Sequence, residues 1–184
     1  MRVFAGIDIP PEVKRSLDRL ITELRSAARL RWSPVSNLHI TTKFIGSWPD
    51  ERLEEMKSTL EAIAGIAPFD IAIRGLGWFP NPHHPRSFWA AVHAPEQLAT
   101  LARATEEAVF RLGVGKETRP YSPHLTLARI GGTPSLAELR RRIASLDADD
   151  FGEFRVSEFH LYLSESSPSG SVYTKLASFP LKSI

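Results

Sequence analysis

The chain has 184 residues, 42% hydrophobic and 24% charged, with 23 Lys+Arg against 21 Asp+Glu and no cysteine. That length fits one globular domain or two small lobes over a shared core, and the composition excludes intrinsic disorder. The absence of thiols excludes disulfides, zinc–thiolate sites, iron–sulfur clusters and a cysteine nucleophile and fits a reducing compartment, while a net charge of +2 permits a polyanionic partner without requiring one.

The first predicted element is a strand, Met1 to Asp8; its acid arrives too early for a signal peptide. The longest wholly apolar run, Ala62 to Phe69, has eight residues. A membrane span needs about 20, so no membrane association is expected and a cytoplasmic location is. A helix follows the first strand, its buried face marked by Val13, Leu17, Leu20, Ile21 and Leu24. Next comes a strand, Leu38-His39-Ile40-Thr41-Thr42-Lys43-Phe44-Ile45-Gly46. Ser47, Pro49 and Asp50 then signal a helix with the stripe Leu53, Met56, Leu60, Ile63. A strand at Phe69-Asp70-Ile71-Ala72-Ile73 and a loop at Asn81-Pro82-His83-His84-Pro85 follow.

The pattern then repeats. Ser87 to Val92 reads as the strand that closes the first half, and Ala90 to Pro95, parallel to Ala5 to Pro10, leads into a helix burying Leu98, Leu101, Thr105, Val109 and Leu112. The strand Pro123-His124-Leu125-Thr126-Leu127-Ala128-Arg129-Ile130-Gly131 matches the earlier one at a spacing of 85 residues. Ser135 and Glu138 are spaced as a capping box before the stripe Leu136, Leu139, Ile143, Leu146. Phe154-Arg155-Val156 parallels Phe69 to Ile73, and Val172 to Leu176 is the closing strand. A strand–helix–strand–helix–strand unit is thus used twice, with pseudo-repeats of about 1–84 and 85–184 in a single domain, 1–184.

Two halves burying each other's sheets explain repeated apolar positions but not a repeated histidine and threonine. In a strand, residues i and i+2 share a face. His39 and Thr41 therefore point one way, and Leu38, Ile40, Thr42 and Phe44 the other. His124 and Thr126 likewise oppose Leu125 and Leu127. Packed about a pseudo-two-fold axis, the two polar pairs face each other across one cleft. Imidazoles titrate near neutrality, so one can accept the proton of an attacking hydroxyl or water while the other protonates a leaving oxygen. The threonine hydroxyls can donate to non-bridging phosphoryl oxygens. That chemistry suits in-line displacement at phosphorus and requires neither metal nor cofactor.

These two motifs resemble those of the 2H phosphoesterase superfamily, and within it the bacterial and archaeal RNA 2′,3′-cyclic phosphodiesterases, also called 2′–5′ RNA ligases. Supporting segments are Arg2 to Ile7, Gly75 to Pro80, Pro85 to Trp89, and Tyr162 to Ser166 with Tyr173. The resemblance implies an α+β, bilobal fold: two antiparallel sheets flanked by helices, with the motifs lining a cleft between lobes. It implies hydrolysis of RNA 2′,3′-cyclic phosphate ends to 2′-phosphomonoesters, with His39 as proton donor to the leaving O3′ and His124 as proton acceptor from water; the motifs alone do not choose between these roles. It also implies 2′–5′ ligation to a 5′-hydroxyl RNA end. A monomer is expected. A small cyclic-phosphate or nucleotide phosphodiesterase, or a non-catalytic nucleotide-binding module, is the alternative on the same fold.

Arg129 corresponds to the family's phosphate-contacting arginine. Alternation turns it away from His124, so either the strand ends or bulges there, or Arg129 is a surface residue. Tyr121-Ser122 stands where the family often has an aromatic and a basic residue, at the cleft rim, and Tyr121 is a candidate substrate contact. His83-His84 reads as a solvated loop, His93 as capping or exposed, and His160 as solvent-facing. Arg140-Arg141-Arg142 is either a solvated helix face or a contact to RNA phosphates. Trp32, Trp78 and Trp89, like Phe4 and Phe79, serve either as packing or as platforms for bases.

Overall fold

The N-terminal apolar segment forms β1 (Arg2–Asp8), whose residues Val3 to Ile7 are all buried. The reason is its place in the sheet: β1 lies between β3 (His39–Ser47) and β8 (Glu158–Ser167), and β9 (Gly170–Pro180) completes a four-stranded antiparallel sheet in the order β3-β1-β8-β9. The second sheet has the order β2-β6-β5-β4-β7, built from Arg31–Trp32, His124–Arg129, Ser87–His93, Phe69–Phe79 and Asp150–Val156. The computed structural model describes residues 1–184.

Four helices complete this α+β architecture. Helix α1 (Pro11–Leu24) buries Val13, Leu17, Leu20, Ile21 and Leu24, the stripe its sequence carries. Helix α3 (Glu96–Phe110) buries Leu98, Leu101, Ala102, Thr105 and Val109, and Leu112 lies just past its end. The shorter α2 (Leu53–Glu61) carries Leu53, Met56 and Leu60 of the second stripe and α4 (Ala137–Ala144) carries Leu139 and Ile143, while Ile63, Leu136 and Leu146 pack on the core from just outside the helices. The capping box expected at Ser135 and Glu138 does not form. Leu136 occupies the cap without a side-chain bond, and Glu138 instead accepts from Arg141 at 2.6 Å and Arg142 at 3.0 Å. Charge-assisted bonds from two guanidiniums outcompete a single neutral backbone N–H.

The halves interpenetrate. Strands β8 and β9 join the sheet of β1 and β3, while β2 and β4 join that of β5 and β6. The look-alike segments at Phe69 and Phe154 pair with each other, Phe69 opposite Val156 and Ile71 opposite Phe154. Helix α1 packs on β7 of the second sheet and α3 on β3 of the first. One continuous apolar core results, drawing on both sheets and all four helices. Helices cover one face of each sheet, and the opposite faces of β3 and β6 meet at a cleft.

Candidate active site

The cleft encloses about 2370 Å³, and His39, Thr41, His124, Thr126, Arg129 and Tyr121 all line it. How two strands deliver these side chains is visible in their pairing. On β3, Thr41 sits opposite Gly6 and Lys43 opposite Ala5, which leaves Thr42 as an extra residue. On β6, Thr126 sits opposite Trp89 and Ala128 opposite Phe88, which leaves Leu127 extra. Thr42 and Leu127 are 85 residues apart, so the bulge is repeated with the motif. A Cβ at Gly6 would lie 2.8 Å from the Ile40 carbonyl oxygen, so the close approach at the first bulge requires glycine.

A bulge inverts the alternation that follows it. Arg129 therefore reaches the cleft, exposed, on the side of His124. Phe44, expected on the core face, is brought to the cleft as well and is 61% exposed. Strict alternation misplaced Phe44 because an extra residue in a strand leaves no mark in the hydrophobic pattern. Thr42 keeps its expected inward direction and is buried.

Both imidazoles are oriented by the same device. His39 Nδ1 lies 2.7 Å from the Asn37 carbonyl oxygen, and His124 Nδ1 lies 2.9 Å from that of Ser122. A carbonyl can only accept, so each Nδ1 carries the hydrogen and each Nε2 is left for chemistry. His39 Nε2 is 2.9 Å from Thr41 Oγ1. The carbonyl of each motif threonine is held by a hydroxyl from the other half: Tyr121 donates to Thr41 O at 2.9 Å, and Ser33 donates to Thr126 O at 2.9 Å. Burial pushes the Tyr121 phenol upward, so it remains a donor. Lys43, buried, ties β3 to α3 and the segment beyond it through Glu106 at 2.7 Å and the Gly115 carbonyl at 2.8 Å.

An aromatic ring from the neighbouring strand flanks each histidine. Phe4 lies 4.6 Å from the His39 ring, and Trp89, at the equivalent position of the repeat, lies 6.5 Å from the His124 ring. Phe4 is stacked by Tyr162 at 4.9 Å. The position equivalent to Tyr162 is Gly77, and a Cβ there would meet the Trp89 indole at 2.4 Å. Glycine thus makes room for the larger ring.

Behind His39 is a second cavity of about 190 Å³, lined by Asp8, Lys14, Asn37, Tyr162, Tyr173 and Lys175 among others. Burial would raise the Asp8 carboxyl, but the hydrogen bond from Lys175 at 2.6 Å and the charge of Lys14 bring it below the ordinary carboxylate value. Burial lowers His39, opposed by its bond to Asn37 and by the charge of Asp8. The Tyr162 hydroxyl is buried without a partner. His160, expected to face solvent, is only 3% exposed and bonds Ser178 Oγ at 2.8 Å. It sits mid-strand in β8, between β1 and β9, where no face is open.

The other candidates lie elsewhere. His83 and His84 are exposed, their backbone N–H groups donating to Asn81. His93 is exposed and bonds the Arg74 carbonyl. Arg140 reaches the Pro82 carbonyl and stacks on Trp78, while Arg141 and Arg142 pair with Glu138. The arginine run is therefore engaged in structural contacts. Trp32, Trp89 and Phe79 line the cleft. Phe44, Ser33 and Lys43 carried no signal in the sequence beyond their proximity to a motif, and the Asp8–Lys175 pair carried none.

Two interlocked sheets that present a histidine and a threonine from each half on one cleft define a 2H phosphoesterase. The comparisons agree with that class. The model of the LigT-like phosphoesterases matches the chain twice, over residues 7–89 and 91–173. The chain belongs to the LigT-like phosphoesterase family. It is 34% identical over 183 residues to an RNA 2′,3′-cyclic phosphodiesterase of Methanothermobacter thermautotrophicus, covering 98% of this chain and 99% of that one. It is 34% identical over 191 residues to one of Thermus thermophilus, covering 99% and 91%. A crystal structure of a Thermus thermophilus protein superposes with a TM-score of 0.82 at 31% identity, covering 99% of this chain and 98% of that one.

Proposed function

We propose that the chain hydrolyses RNA 2′,3′-cyclic phosphate ends to 2′-phosphomonoesters, the activity by which its full-length relatives are named. The observation that carries this reading is the pair of imidazoles whose Nδ1 atoms are both tied to backbone carbonyls, leaving two Nε2 atoms for one cleft. Neutral His124 Nε2 takes a proton from water as the water oxygen bonds to phosphorus. The P–O3′ bond breaks on the opposite side, and protonated His39 Nε2 gives its proton to O3′. The products are a 2′-phosphomonoester and a 3′-hydroxyl, and the histidines return to their starting states by exchange with solvent. Thr41 and Thr126 donate to non-bridging oxygens as charge grows there. Arg129 pairs with the phosphate, and Tyr121 holds the Thr41 backbone at the rim. With a 5′-hydroxyl RNA end replacing water, the same steps form a 2′–5′ linkage. Both histidines come from one chain, so the reaction needs no second copy; a monomer acting on RNA in the cytoplasm belongs to this reading.

The test is incubation with EDTA and a short RNA ending in a 2′,3′-cyclic phosphate, with products separated against 2′- and 3′-phosphate standards. A 2′-phosphate, absent with His39→Ala and His124→Ala, is expected. A 3′-phosphate, or no turnover by folded protein, overturns the reading.

A further inference from the structure

The cleft is far more cationic than the chain. Six arginines and Lys43 line it against two carboxylates, Glu106 and Glu117, although the whole protein carries only +2. Both carboxylates are already engaged, Glu106 with Lys43 and Glu117 with the backbone N–H groups of Thr118 and Arg119. Of the arginines, Arg103 pairs with Glu96 at 3.9 Å, but four others are free of such partners. Arg25, Arg29, Arg31 and Arg129 are all exposed, and none enters an ion pair, while Lys14, Lys43, Arg52, Lys57, Arg141, Arg142 and Lys175 do.

Three of these cations lie on one short segment, the connection from α1 through β2. Its backbone is pinned at both ends. Arg142 donates to the Glu23 carbonyl at 3.0 Å and to Ser26 Oγ at 2.8 Å, fixing the turn that carries Arg25. Ser33 donates from its backbone N–H to the Leu127 carbonyl at 2.8 Å and from its hydroxyl to Thr126. Between these anchors a 3-10 turn (Arg25–Ala27) leads into a bend closed by the Leu30 N–H on the Ala28 carbonyl at 3.1 Å and then into β2; Leu30 packs against the core, and Arg29 and Arg31 are exposed along the cleft. Strand β2 then lies beside β6 with Arg31 opposite Arg129. All four arginines line the one cleft, with Arg31 beside Arg129 and Arg29 and Arg25 preceding it on the same anchored segment. A fixed backbone bearing unpaired guanidiniums is what a polyanionic strand needs, because the positions are set in advance and no internal partner must be displaced.

We infer that Arg25, Arg29 and Arg31 form a phosphate track for the single-stranded RNA upstream of the reacting end. This rests on the phosphodiesterase reading for which nucleotide sits at the histidines. A cyclic phosphate occupies the 3′ end of an RNA, so all remaining phosphates extend 5′-ward from the cleft, and the track receives them. The substrate is then an oligonucleotide, with affinity set by length as well as by the terminal nucleotide. Contacts of this kind position the strand without reading its sequence.

The experiment measures binding rather than turnover. Fluorescently labelled RNAs ending in a 2′-phosphate, a dinucleotide and an oligomer of about ten nucleotides, are titrated with protein by anisotropy over a range of KCl, where each single-strand phosphate contact contributes about 0.7 to the slope of log K against log salt. The longer RNA should bind the wild type at least about tenfold more tightly, with a steeper salt slope. Arg25→Gln/Arg29→Gln/Arg31→Gln should flatten that slope by about 2 and weaken the longer RNA much more than the dinucleotide; Arg29→Gln alone should flatten it by about 0.7. Arg15→Gln/Arg19→Gln, a loss of two charges on the exposed face of α1, should change neither. Binding independent of length, a wild-type slope in the triple variant, or equal loss on both RNAs overturns the track. Failure to hydrolyse any cyclic-phosphate RNA would overturn the phosphodiesterase reading instead, leaving the binding result to stand by itself.

Discussion

Strands β3 and β6 share one backbone plan and differ in almost everything packed around it. Each has the bulge, a histidine held by the carbonyl two residues earlier, and a threonine whose own carbonyl is held from the other half. Around His39 the protein is closed. Phe4 and Tyr173 lie 4.6 and 5.0 Å from its ring, Thr41 bonds its Nε2, and Asp8 with Lys175 stands behind it. Around His124 it is open: the residue is exposed, no side-chain bond joins it to Thr126, and Gly77 replaces the tyrosine of the other side. Where the bulge returns the chain to the cleft, the first strand carries Phe44 and the second Arg129. Duplication placed two equivalent imidazoles in unlike surroundings, and the proposed division of their tasks follows that difference. The closed side suits a ribose and leaving oxygen sheltered from water, while the open, cationic side suits water and phosphate.

The strongest way to break this division is to remove each imidazole and change the leaving group. His39→Ala and His124→Ala should each lower kcat/KM by about 10²–10⁴-fold on a cyclic-phosphate RNA. With the 3′-bridging oxygen replaced by sulfur, the departing thiolate needs no proton. His39→Ala should then recover most of its loss and His124→Ala none. Equal rescue, or rescue of the second alone, would reverse or abolish the assigned roles.

A smaller effect is expected at the residue pair beyond the bulges. Arg129→Met removes a charge-assisted contact and should reduce kcat/KM by about 10–100-fold on substrates of every length. Phe44→Met keeps an apolar side chain and should cost only a few-fold, mainly in KM. Equal losses at both positions would mean that the asymmetry concerns packing rather than phosphate binding.

The histidines and threonines were legible in the sequence because strand alternation and a repeat of 85 residues both bear on them. The stripe of α1 was legible to the residue, since one helical face must meet the core. Phe44 was not, because Thr42 adds a residue to its strand without changing the strand's composition. The exchange of β4 and β8 between sheets was hidden for a related reason: an apolar strand fits any partner of matching register, and only the tertiary fold decides which. His160 was misread because apolar Phe159 and Leu161 on either side would turn it outward by alternation, whereas Phe159 to Tyr162 are all buried, so both faces of that stretch are covered.

The web behind His39 should appear in the pH dependence. Burial lowers the His39 pKa, and the charge of Asp8 counteracts that while Lys14 adds to it. Asp8→Asn removes the favourable term, so the limb of the kcat/KM profile that follows His39 should move to lower pH. Lys14→Met should move the same limb upward, and the other limb should stay in place. If neither substitution moves a limb, Asp8 serves to position the backbone and not to tune the imidazole.

The smallest effect concerns stability, and it separates the closed side from the open one through a group that touches no substrate. Burial lowers the His160 pKa, and Lys175 lowers it further, against the opposing charges of Glu158 and Asp8. The unfolded chain therefore takes up this proton first as pH falls. The contribution of His160 is fully present above the unfolded value of about 6.5 and is lost as pH drops through it towards the lower folded value. One histidine can tilt stability by at most about 1.4 kcal/mol per pH unit in that window, and His39 tilts it in the same direction. Urea midpoints of the wild type should fall from pH 7.5 towards pH 5. His160→Gln should fall less steeply, whatever its absolute stability, because the side chain no longer titrates. A variant whose midpoint falls as steeply as the wild type would show that the buried web on the closed side tolerates the proton, and that its closure does not depend on keeping His160 neutral.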